Sequence, residues 1–218
     1  MKVLAIIPAR KGSKRLPGKN KKLLGGVPMI SWAINSVKEI SEIVDILVST
    51  DDPEIVKIAS QHKVLAPWLR PQYLCSDEVS SIDVTLHALD WYQTSVQKVD
   101  GVMLIQPTSP FRTKQSILAA LSEFKSCESI VSVSTCSGNP EWVFQLESQV
   151  LVKPVGEPKT LYELNGLIYL CTPNFLTENR SFIAKNTRGL VIGSKKESLD
   201  IDTQADFNLA EFYLDRDL

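Results

Sequence analysis

A loop that could hold phosphate groups follows the first apolar run of the chain. Residues 8–20 read PARKGSKRLPGKN, with two glycines, two prolines and five cations. Glycine lets the backbone turn closely enough for its N–H groups to face phosphate oxygens, and the cations neutralise phosphate charge. A P-loop is excluded because five residues separate Gly12 from Gly18 and Asn20 replaces its Ser or Thr; a G-x-G-x-x-G motif is also absent. The loop predicts polyphosphate binding, with a solvated basic loop as the alternative.

A carboxylate pair near the end of the chain could hold a metal ion. Asp200 and Asp202 are two residues apart, so in an extended segment both side chains share one face. Oxygen-only ligands suit Mg²⁺, with Mn²⁺ as the alternative ion, and such a metal also bridges substrate phosphates. Aspartate often only caps a helix, and Thr203 could do the same here. We therefore interpret the pair as a metal site only in combination with the basic loop.

Charge is distributed unevenly along the chain. Residues 1–38 hold nine Lys or Arg and no acid, whereas residues 197–218 hold seven acids and one Arg. These segments either meet at an anionic ligand and its metal or form two solvated surfaces. The totals are 24 Lys plus Arg against 25 Asp plus Glu, a net charge of −1, which gives no global field for nucleic acid.

Alternating elements would bring the candidate residues to one edge of a sheet. Short apolar runs predict strands, and apolar residues three and four apart predict helices between them. The predicted strands are 3–7, 43–48, 64–65, 102–105 and 130–133, and the predicted helices are 27–40, 53–61, 81–92 and 114–124. This alternation predicts an α/β fold with a mostly parallel sheet, helices on both faces, and ligands bound beyond the carboxyl ends of the strands.

The pattern changes after about residue 135. Residues 142–144, 150–152 and 166–170 predict irregular antiparallel β structure, and a strand at 190–192 and a helix at 204–213 follow. The chain has 218 residues, no internal repeat and no low-complexity linker. It therefore predicts one domain over residues 1–218, with a β-rich insert at about 135–180.

Composition argues against several other classes of protein. Hydrophobic residues make up 44% and charged residues 22%, which is typical of a folded globular protein. No apolar run approaches the ~20 residues that cross a bilayer, so we expect no membrane partner. Four cysteines without a C-x-x-C pair, and only two histidines, argue against a zinc site or a disulfide scaffold. They favour free thiols and a cytoplasmic location.

Six motifs keep the order that is found in one known family. They are IPARKGSKRLPGKN at 7–20, STD at 49–51, RPQYLCSDEVSS at 70–81, LIQPTSPFR at 104–112, NGLIY at 165–169 and SLDIDT at 198–203. In these motifs the sequence resembles the cytidylyltransferases that activate nonulosonic acids, the acylneuraminate (sialic acid) synthetases. The resemblance implies a Rossmann-like nucleotide-diphospho-sugar transferase fold and a homodimer formed through the insert. It also implies that CTP and a nonulosonic acid react to give a CMP-sugar and pyrophosphate.

The resemblance further implies roles for individual residues. The triphosphate would be held by Arg10, Ser13, Lys14, Lys19 and Asn20, with catalytic roles for Arg10, Lys19 and Asp202. The cytidine would be held by Arg70, Ser80 and Ser81, the sugar acid by Gln106, Asn165 and Tyr169, and Mg²⁺ by Asp200 and Asp202. Trp142, Phe144 and Leu146 would belong to the dimer contact or to a local core.

The sequence departs from the family pattern inside the insert. Sialic acid synthetases carry an Arg about ten residues before the Asn-Gly pair, and often another basic residue two before it. Here no Arg is present, and Glu163 occupies the nearer place, where it cannot clamp a carboxylate. Lys159 or Lys153 could substitute as a point charge. N-acetylneuraminate, legionaminate, pseudaminate and other nonulosonates therefore all remain open as substrates.

Two alternative functions remain open from the sequence. A Kdo (3-deoxy-manno-octulosonate) cytidylyltransferase has a first motif that resembles residues 15–19, but it usually follows the Lys with Pro, where this chain has Asn20. A catalytically silent nucleotide-binding module could also use the same fold. Intact Arg10, Lys19, Asp200 and Asp202 argue against the silent module.

Overall fold

A mixed eight-stranded sheet forms the centre of the molecule. The computed structural model describes residues 1–136, 143–153 and 161–216. The strands are β1 (Val3–Pro8), β2 (Leu23–Leu24), β3 (Val27–Pro28), β4 (Ile43–Ser49), β5 (Gly101–Leu104), β6 (Ser129–Thr135), β7 (Val143–Glu147), β8 (Val150–Val152), β9 (Tyr162–Cys171) and β10 (Arg188–Val191). The short strands β2 and β3 pair only with each other.

The strand order shows a largely parallel arrangement. The order is β4-β1-β5-β9-β6-β10-β8-β7, and β8 and β9 run opposite to the other strands. In the register, Pro8 of β1 lies beside Ser49 of β4, and Ile6 lies beside Leu104 of β5. The segments that follow these three strands therefore leave the sheet at one edge, as the predicted α/β fold requires.

Six helices accompany the sheet in the part of the chain that the structure describes. They are α1 (Met29–Val37), α2 (Pro53–Gln61), α3 (Ser81–Ser95), α4 (Lys114–Phe124), α5 (Pro173–Asn179) and α6 (Gln204–Asp215). None of them combines the length and the apolar character that crossing a bilayer requires. The bounds of α2 and α4 are those predicted from the sequence, whereas the seven-residue helix α5 was not predicted.

Strand β1 explains why helices cover both faces of the sheet. Its residues Val3 to Ile7 are fully buried, and alternate side chains point to opposite faces. Val3, Ala5 and Ile7 pack in one apolar cluster with residues of α1 and α4, while Leu4 and Ile6 pack in another with residues of α3. A strand buried on both faces reads as a continuous apolar run, which is the pattern of parallel sheets.

Part of the segment predicted as an insert lies in the middle of the sheet. Strand β9 pairs antiparallel with both β5 and β6, so residues 162–171 belong to the central sheet. Strands β7 and β8 come last in the strand order, but β7 also pairs antiparallel with the start of β9. Residues 64–65 form no strand, although Leu65 makes an isolated parallel bridge with Leu47. Trp142 and Lys159 lie outside the described residues.

Candidate active site

The basic loop is held in shape by Gly18 and Asn20. Gly18 has φ +67°, a left-handed conformation that favours glycine, and its carbonyl accepts hydrogen bonds from the Lys21 and Lys22 amides at 2.9 and 3.1 Å. The Asn20 side chain donates to the Arg10 carbonyl at 2.9 Å, which closes the loop on itself. Arg10, Ser13, Lys19 and Asn20 line one cavity of about 140 Å³. The loop therefore gathers four of the five predicted triphosphate residues around one space.

Lys19 joins this loop to the acidic segment at the far end of the chain. Its Nζ lies 2.8 Å from Asp202 Oδ1, and Arg15 Nη2 lies 2.5 Å from Asp202 Oδ2. The Lys19 side chain is only 13% exposed, whereas that of Arg15 is 68% exposed. The basic and acidic segments therefore meet, and their charges are not two separate solvated surfaces.

The capping role that competed with metal binding is filled by other residues. Thr203 caps α6, with its hydroxyl accepting from the Asp206 amide at 3.3 Å. In return Asp206 Oδ2 accepts from the amides of Thr203 and Asp202 at 2.7 and 3.1 Å. This capping box satisfies the start of the helix and leaves the carboxylates of Asp200 and Asp202 for other partners.

The donor set of the Asp200–Asp202 pair fits a hard divalent cation. Burial raises the pKa of Asp200, as does the neighbouring Asp202 charge, while the Thr108 hydroxyl and Lys19 oppose the shift. The negative charges of the two carboxylates thus disfavour each other, and a cation bound next to them would stabilise both. Across the described ranges, no group of three or more His, Cys, Asp or Glu side chains is arranged so that it could hold a metal ion by itself. Mg²⁺ needs only one or two carboxylates, because substrate phosphates and water complete its shell.

A second cavity of about 200 Å³ adjoins the loop and contains Arg70. Arg70 is 5% exposed, donates from Nε to Ser49 Oγ at 3.0 Å, and also donates from Nη2 to the Ser49 carbonyl. Burial lowers the pKa of this guanidinium. Ser81 lines the same cavity, as does Arg10, so this space is continuous with the loop. The Arg70 guanidinium, held in place by Ser49, therefore gives the cavity a fixed positive charge that a polar ring could contact.

Ser80 is used differently from Ser81. Its hydroxyl accepts from the Asp83 amide at 3.1 Å and donates to Asp83 Oδ2 at 2.7 Å, so it caps the start of α3. The Asp83 carboxylate also receives a hydrogen bond from Arg180. The structure therefore places Ser81 on the cavity wall, and it places the Ser80 side chain in the helix cap.

Asp77 is a charged member of the site to which the sequence analysis assigned no role. Its Oδ1 lies 2.5 Å from Arg10 Nη2, and its Oδ2 lies 2.5 Å from Lys14 Nζ. Hydrogen bonds from Lys14 and Arg10 lower the pKa of the Asp77 carboxyl. The one signal in the sequence was its place within the motif at 70–81. Periodicity could not link it to a loop some sixty residues earlier.

A third cavity of about 430 Å³ lies beside Gln106 and β9. Its lining includes Gln106, Glu163, Asn165, Tyr169 and Asp200. Burial raises the pKa of the Tyr169 hydroxyl to about 12, so this side chain is a neutral hydrogen-bond donor. The three predicted sugar residues therefore share one space with a predicted metal ligand and with Glu163.

The Asn165-Gly166 pair shapes the wall of this cavity. Gly166 has φ +74°, and a Cβ there would lie 3.0 Å from Gln106 Oε1, so glycine allows that close approach. The Asn165 amide donates to Ser134 Oγ at 2.9 Å, and its Oδ1 accepts from Ser132 Oγ at 2.6 Å. These hydrogen bonds hold the irregular backbone of β9 at Asn165 and Gly166, where its pairing with β6 shifts register. Asn165 is thus buried and already hydrogen-bonded.

The three cavities adjoin one another at the carboxyl ends of β1, β4 and β5, and we refer to them together as the cleft. Arg10 lines both the loop cavity and the Arg70 cavity, and Gln106 lines both the loop cavity and the third one. An extended ligand could therefore run from Arg70, across the basic loop, to Gln106. Such an arrangement suits transfer of a group between two bound molecules.

The sequence matches a family model described as cytidylyltransferase over residues 4–207. The chain belongs to the cytidylyltransferase family. A relative of this cytidylyltransferase is the CMP-N,N'-diacetyllegionaminic acid synthase of Legionella pneumophila, 41% identical over 221 residues, which cover 97% of this chain and 95% of that protein. The N-acylneuraminate cytidylyltransferase of Escherichia coli is 30% identical over 96% of this chain, which spans 51% of that longer protein.

A solved structure confirms the fold of this cytidylyltransferase. The CMP:2-keto-3-deoxy-manno-octonic acid synthetase complexed with CTP superposes with a TM-score of 0.80, covering 100% of both chains. The two sequences are 18% identical, so this likeness concerns the fold. The expected nucleotidyltransferase fold, a mostly parallel sheet flanked by helices, is therefore confirmed.

Proposed function

We propose that this cytidylyltransferase transfers CMP from CTP to a nonulosonic acid and releases pyrophosphate. The observation that carries the proposal is the single cleft in which the basic loop lies between the Arg70 cavity and the Gln106 cavity. A nucleoside, a triphosphate and a sugar acid would occupy these spaces in that order. The names of the Legionella and Escherichia relatives support the same reaction class.

We propose a di-N-acetylated nonulosonic acid as the preferred substrate. The Legionella relative, whose name specifies N,N'-diacetyllegionaminic acid, is similar over almost the whole of both chains. Glu163 on the wall of the third cavity supports this choice, because a carboxylate accepts hydrogen bonds from amide N–H groups but repels an acid. Lys153 or Lys159 would then neutralise the substrate carboxylate, although Lys159 lies outside the described residues.

The reaction itself needs positioning and charge neutralisation. A sugar hydroxyl attacks the α-phosphorus of CTP, a new O–P bond forms, and the bond to the β-phosphate oxygen breaks in line. Arg10, Ser13, Lys14 and Lys19 would surround the triphosphate, with Asn20 holding the Arg10 backbone. The low exposure of Lys19 reduces solvent screening of its charge at the phosphoryl group.

Asp200 and Asp202 would hold Mg²⁺, or Mn²⁺, next to the triphosphate. Bound there, the ion would neutralise charge on the phosphate oxygens. Lys19 and Arg15 contact Asp202 in the structure, and both would then share their charge between that carboxylate and the nucleotide. The fit rests on the oxygen-only donors and on the raised pKa of Asp200.

We further propose a homodimer, formed through the segment at about 135–180, and a cytoplasmic location. The family resemblance supports the dimer. Unpaired thiols at Cys75, Cys127 and Cys171 support a reducing compartment. Sedimentation velocity at micromolar concentration should give twice the 24.3 kDa chain mass. A purely monomeric boundary would contradict the dimer.

Pyrophosphate release with a panel of acids tests the function. The protein should release pyrophosphate from CTP and a nonulosonic acid, with UTP and ATP used poorly and excess EDTA abolishing turnover. Turnover with Kdo alone would favour the Kdo enzyme. CTP binding without turnover on any acid would favour the silent nucleotide-binding module, and full activity in EDTA would contradict the metal site.

A further inference from the structure

A cavity of about 670 Å³ lies outside the cleft, and no step of the proposed reaction uses it. Its wall is built from α1 and the two residues after it, from residues 110–114 at the start of α4, from residues 194–197, and from Leu214 of α6. The volume is in the range of sites that hold a small organic molecule. The chemistry of the wall therefore decides what the cavity could bind.

Cations dominate the charged groups on this wall. Lys38, Lys114, Lys196 and Arg112 line the cavity together with two acids, Glu39 and Glu197. Among the described residues, none of the four cations forms an ion pair within 4 Å. Glu197 is already engaged, because its Oε1 accepts from the amide and hydroxyl of Thr113 at 3.1 and 2.9 Å. The cavity thus has an excess of positive charge.

Arg112 is the most unusual of these cations because it is buried. Its side chain is 5% exposed, and all its hydrogen bonds go to neutral acceptors: the carbonyls of Leu167 and Gln106 and the hydroxyl of Ser36. Burial lowers the pKa of this guanidinium to about 9. The carboxylates of Glu197 and Asp200 oppose this shift, but neither forms an ion pair with Arg112 within 4 Å, so an anion hydrogen-bonded to the guanidinium would further offset the cost of its burial.

The wall also offers an aromatic surface. The Trp32 indole is partly exposed and fixed in place, since its Nε1 donates to the Leu24 carbonyl at 3.1 Å and its ring meets the Phe111 ring edge to face at 6.0 Å. Lys196 Nζ lies 5.5 Å from the centre of the Phe111 ring. A flat ring could pack on the indole while an anionic group reaches the cations.

We propose that this cavity is a second ligand site, which takes an organic anion of nucleotide size with a planar ring and a phosphate or carboxylate group. The site is separate from the reaction cleft. Arg112 connects the two spaces. It lines the cavity and donates to the Ser36 hydroxyl there, and it also donates to the carbonyls of Leu167 and of Gln106, a residue of the cleft. A bound anion draws the guanidinium towards the cavity and weakens its hold on those two carbonyls.

Binding is tested with AMP as the probe, on the full chain with one equivalent of CTP, so that the cleft is occupied and no excess CTP competes for the second site. Calorimetry should show one saturable AMP site. Adenosine and inorganic phosphate should each bind at least ~10-fold more weakly, because adenosine lacks the phosphate and inorganic phosphate lacks the ring. A Lys38→Glu/Lys114→Glu protein should lose at least ~10-fold in AMP affinity, and Lys196→Met should also weaken binding. Lys57→Glu on α2 is the matched control, since Lys57 is exposed and does not line the cavity.

Absence of saturable AMP binding up to about 5 mM, or equal binding by the Lys57→Glu and Lys38→Glu/Lys114→Glu proteins, would overturn the site. Circular dichroism should show that the variants are folded, and Lys38→Glu alone provides a milder test because Lys38 is exposed. Quenching of Trp32 fluorescence by AMP, lost in Trp32→Phe, would place the probe in this cavity.

The coupling through Arg112 has its own readout, which rests on the proposed function. Saturating AMP should raise the KM for the sugar acid and leave the KM for CTP unchanged, and the Lys38→Glu/Lys114→Glu protein should lose this effect. A rise in the KM for CTP alone would mean competition in the cleft and would contradict the proposal. Saturable binding with unchanged kinetics would retain the site and overturn the coupling.

Discussion

Lys19 Nζ and Asp202 Oδ1 lie 2.8 Å apart, although 183 residues separate them in the chain. The contact joins the basic loop after β1 to the segment that precedes α6. Lys19 lines the loop cavity, where the proposed reaction would place the triphosphate. Lys19 is nearly buried there, so its charge is worth more than that of an exposed lysine.

Removing either partner should affect the chemical step more than nucleotide binding. Lys19→Ala and Asp202→Ala should each lower kcat by at least ~100-fold, about 2.7 kcal/mol, because charge on the transferred group peaks in the transition state. Arg15→Ala is the matched comparison, since Arg15 contacts the same carboxylate but is 68% exposed and should cost much less. Steady-state kinetics within threefold of wild type for Lys19→Ala and Asp202→Ala would refute these roles.

Asp77 should compete with CTP for the loop. The nucleotide must separate Asp77 from Arg10 and Lys14 before its phosphates can take their place. Asp77→Asn should therefore tighten CTP binding by about threefold, a modest gain because the ion pairs are partly exposed. Glu78→Gln removes the same charge from the next residue and should change the Kd less. Weaker CTP binding by Asp77→Asn in calorimetry would show that Asp77 assists the nucleotide instead.

Glu163 should influence which acid is used. It lines the third cavity beside Asn165 and Tyr169, so Glu163→Arg should change the ranking of kcat/KM among nonulosonic acids. The KM for CTP should stay within about twofold, because the loop and Arg70 cavities are untouched. Glu211→Arg is the control, because Glu211 is an exposed acid on α6, outside the proposed dimer contact and the three cavities. An unchanged ranking in the Glu163→Arg enzyme would exclude this role.

Asp52 should stabilise the fold through the start of α2. Its Oδ1 accepts from the Glu54 amide at 2.9 Å, and its Oδ2 lies 2.9 Å from Lys21 Nζ. Asp52→Ala should lower the free energy of unfolding by about 1 kcal/mol or more, while Asp52→Asn keeps the cap and should cost less. If urea unfolding gave the same loss of unfolding free energy for Asp52→Ala and Asp52→Asn, the helix cap would contribute nothing.

The same residue should give a defined pH dependence of stability. Burial alone would raise the pKa of Asp52, but Lys21 and the Glu54 amide outweigh it and lower the pKa overall. A carboxyl with a lowered folded-state pKa stabilises the fold above its unfolded pKa, about 3.9, and loses that contribution as pH falls through the folded value. The difference in unfolding free energy between wild type and Asp52→Asn should therefore narrow below about pH 4. A difference that widens below this pH would contradict the lowered pKa of Asp52.

Local signals explain why much of the fold was predictable. Helix α4 has its predicted bounds because Thr113 caps it and apolar residues recur at helical spacing behind the cap. Helix α2 follows from Asp52 as cap and Pro53 in the first turn. The uneven charge left two arrangements of the basic and acidic segments open, and the contact of Lys19 and Arg15 with Asp202 shows which one is present.

Other features depend on contacts that no local pattern encodes. The central place of β9 results from pairing with β5 and β6, which are separated from it by intervening elements. The pairing of Asp77 with Arg10 depends on the way the chain returns to the loop. Asn20 and Ser80, which the resemblance assigns to ligands, also make backbone and cap hydrogen bonds that the motifs did not predict. A sequence motif gives the residue type but does not show which side-chain atoms already have a hydrogen-bond partner within the protein.

The most direct test follows the phosphorus atoms of CTP by ³¹P NMR. With the protein, Mg²⁺ and N,N'-diacetyllegionaminate, the α-phosphorus signal of CTP should convert to that of a phosphodiester while free pyrophosphate appears in equal amount. The conversion should require the acid and should be at least ~100-fold slower in the Lys19→Ala protein. Release of inorganic phosphate with CDP, or no change of the α-phosphorus with any nonulosonic acid, would contradict cytidylyl transfer.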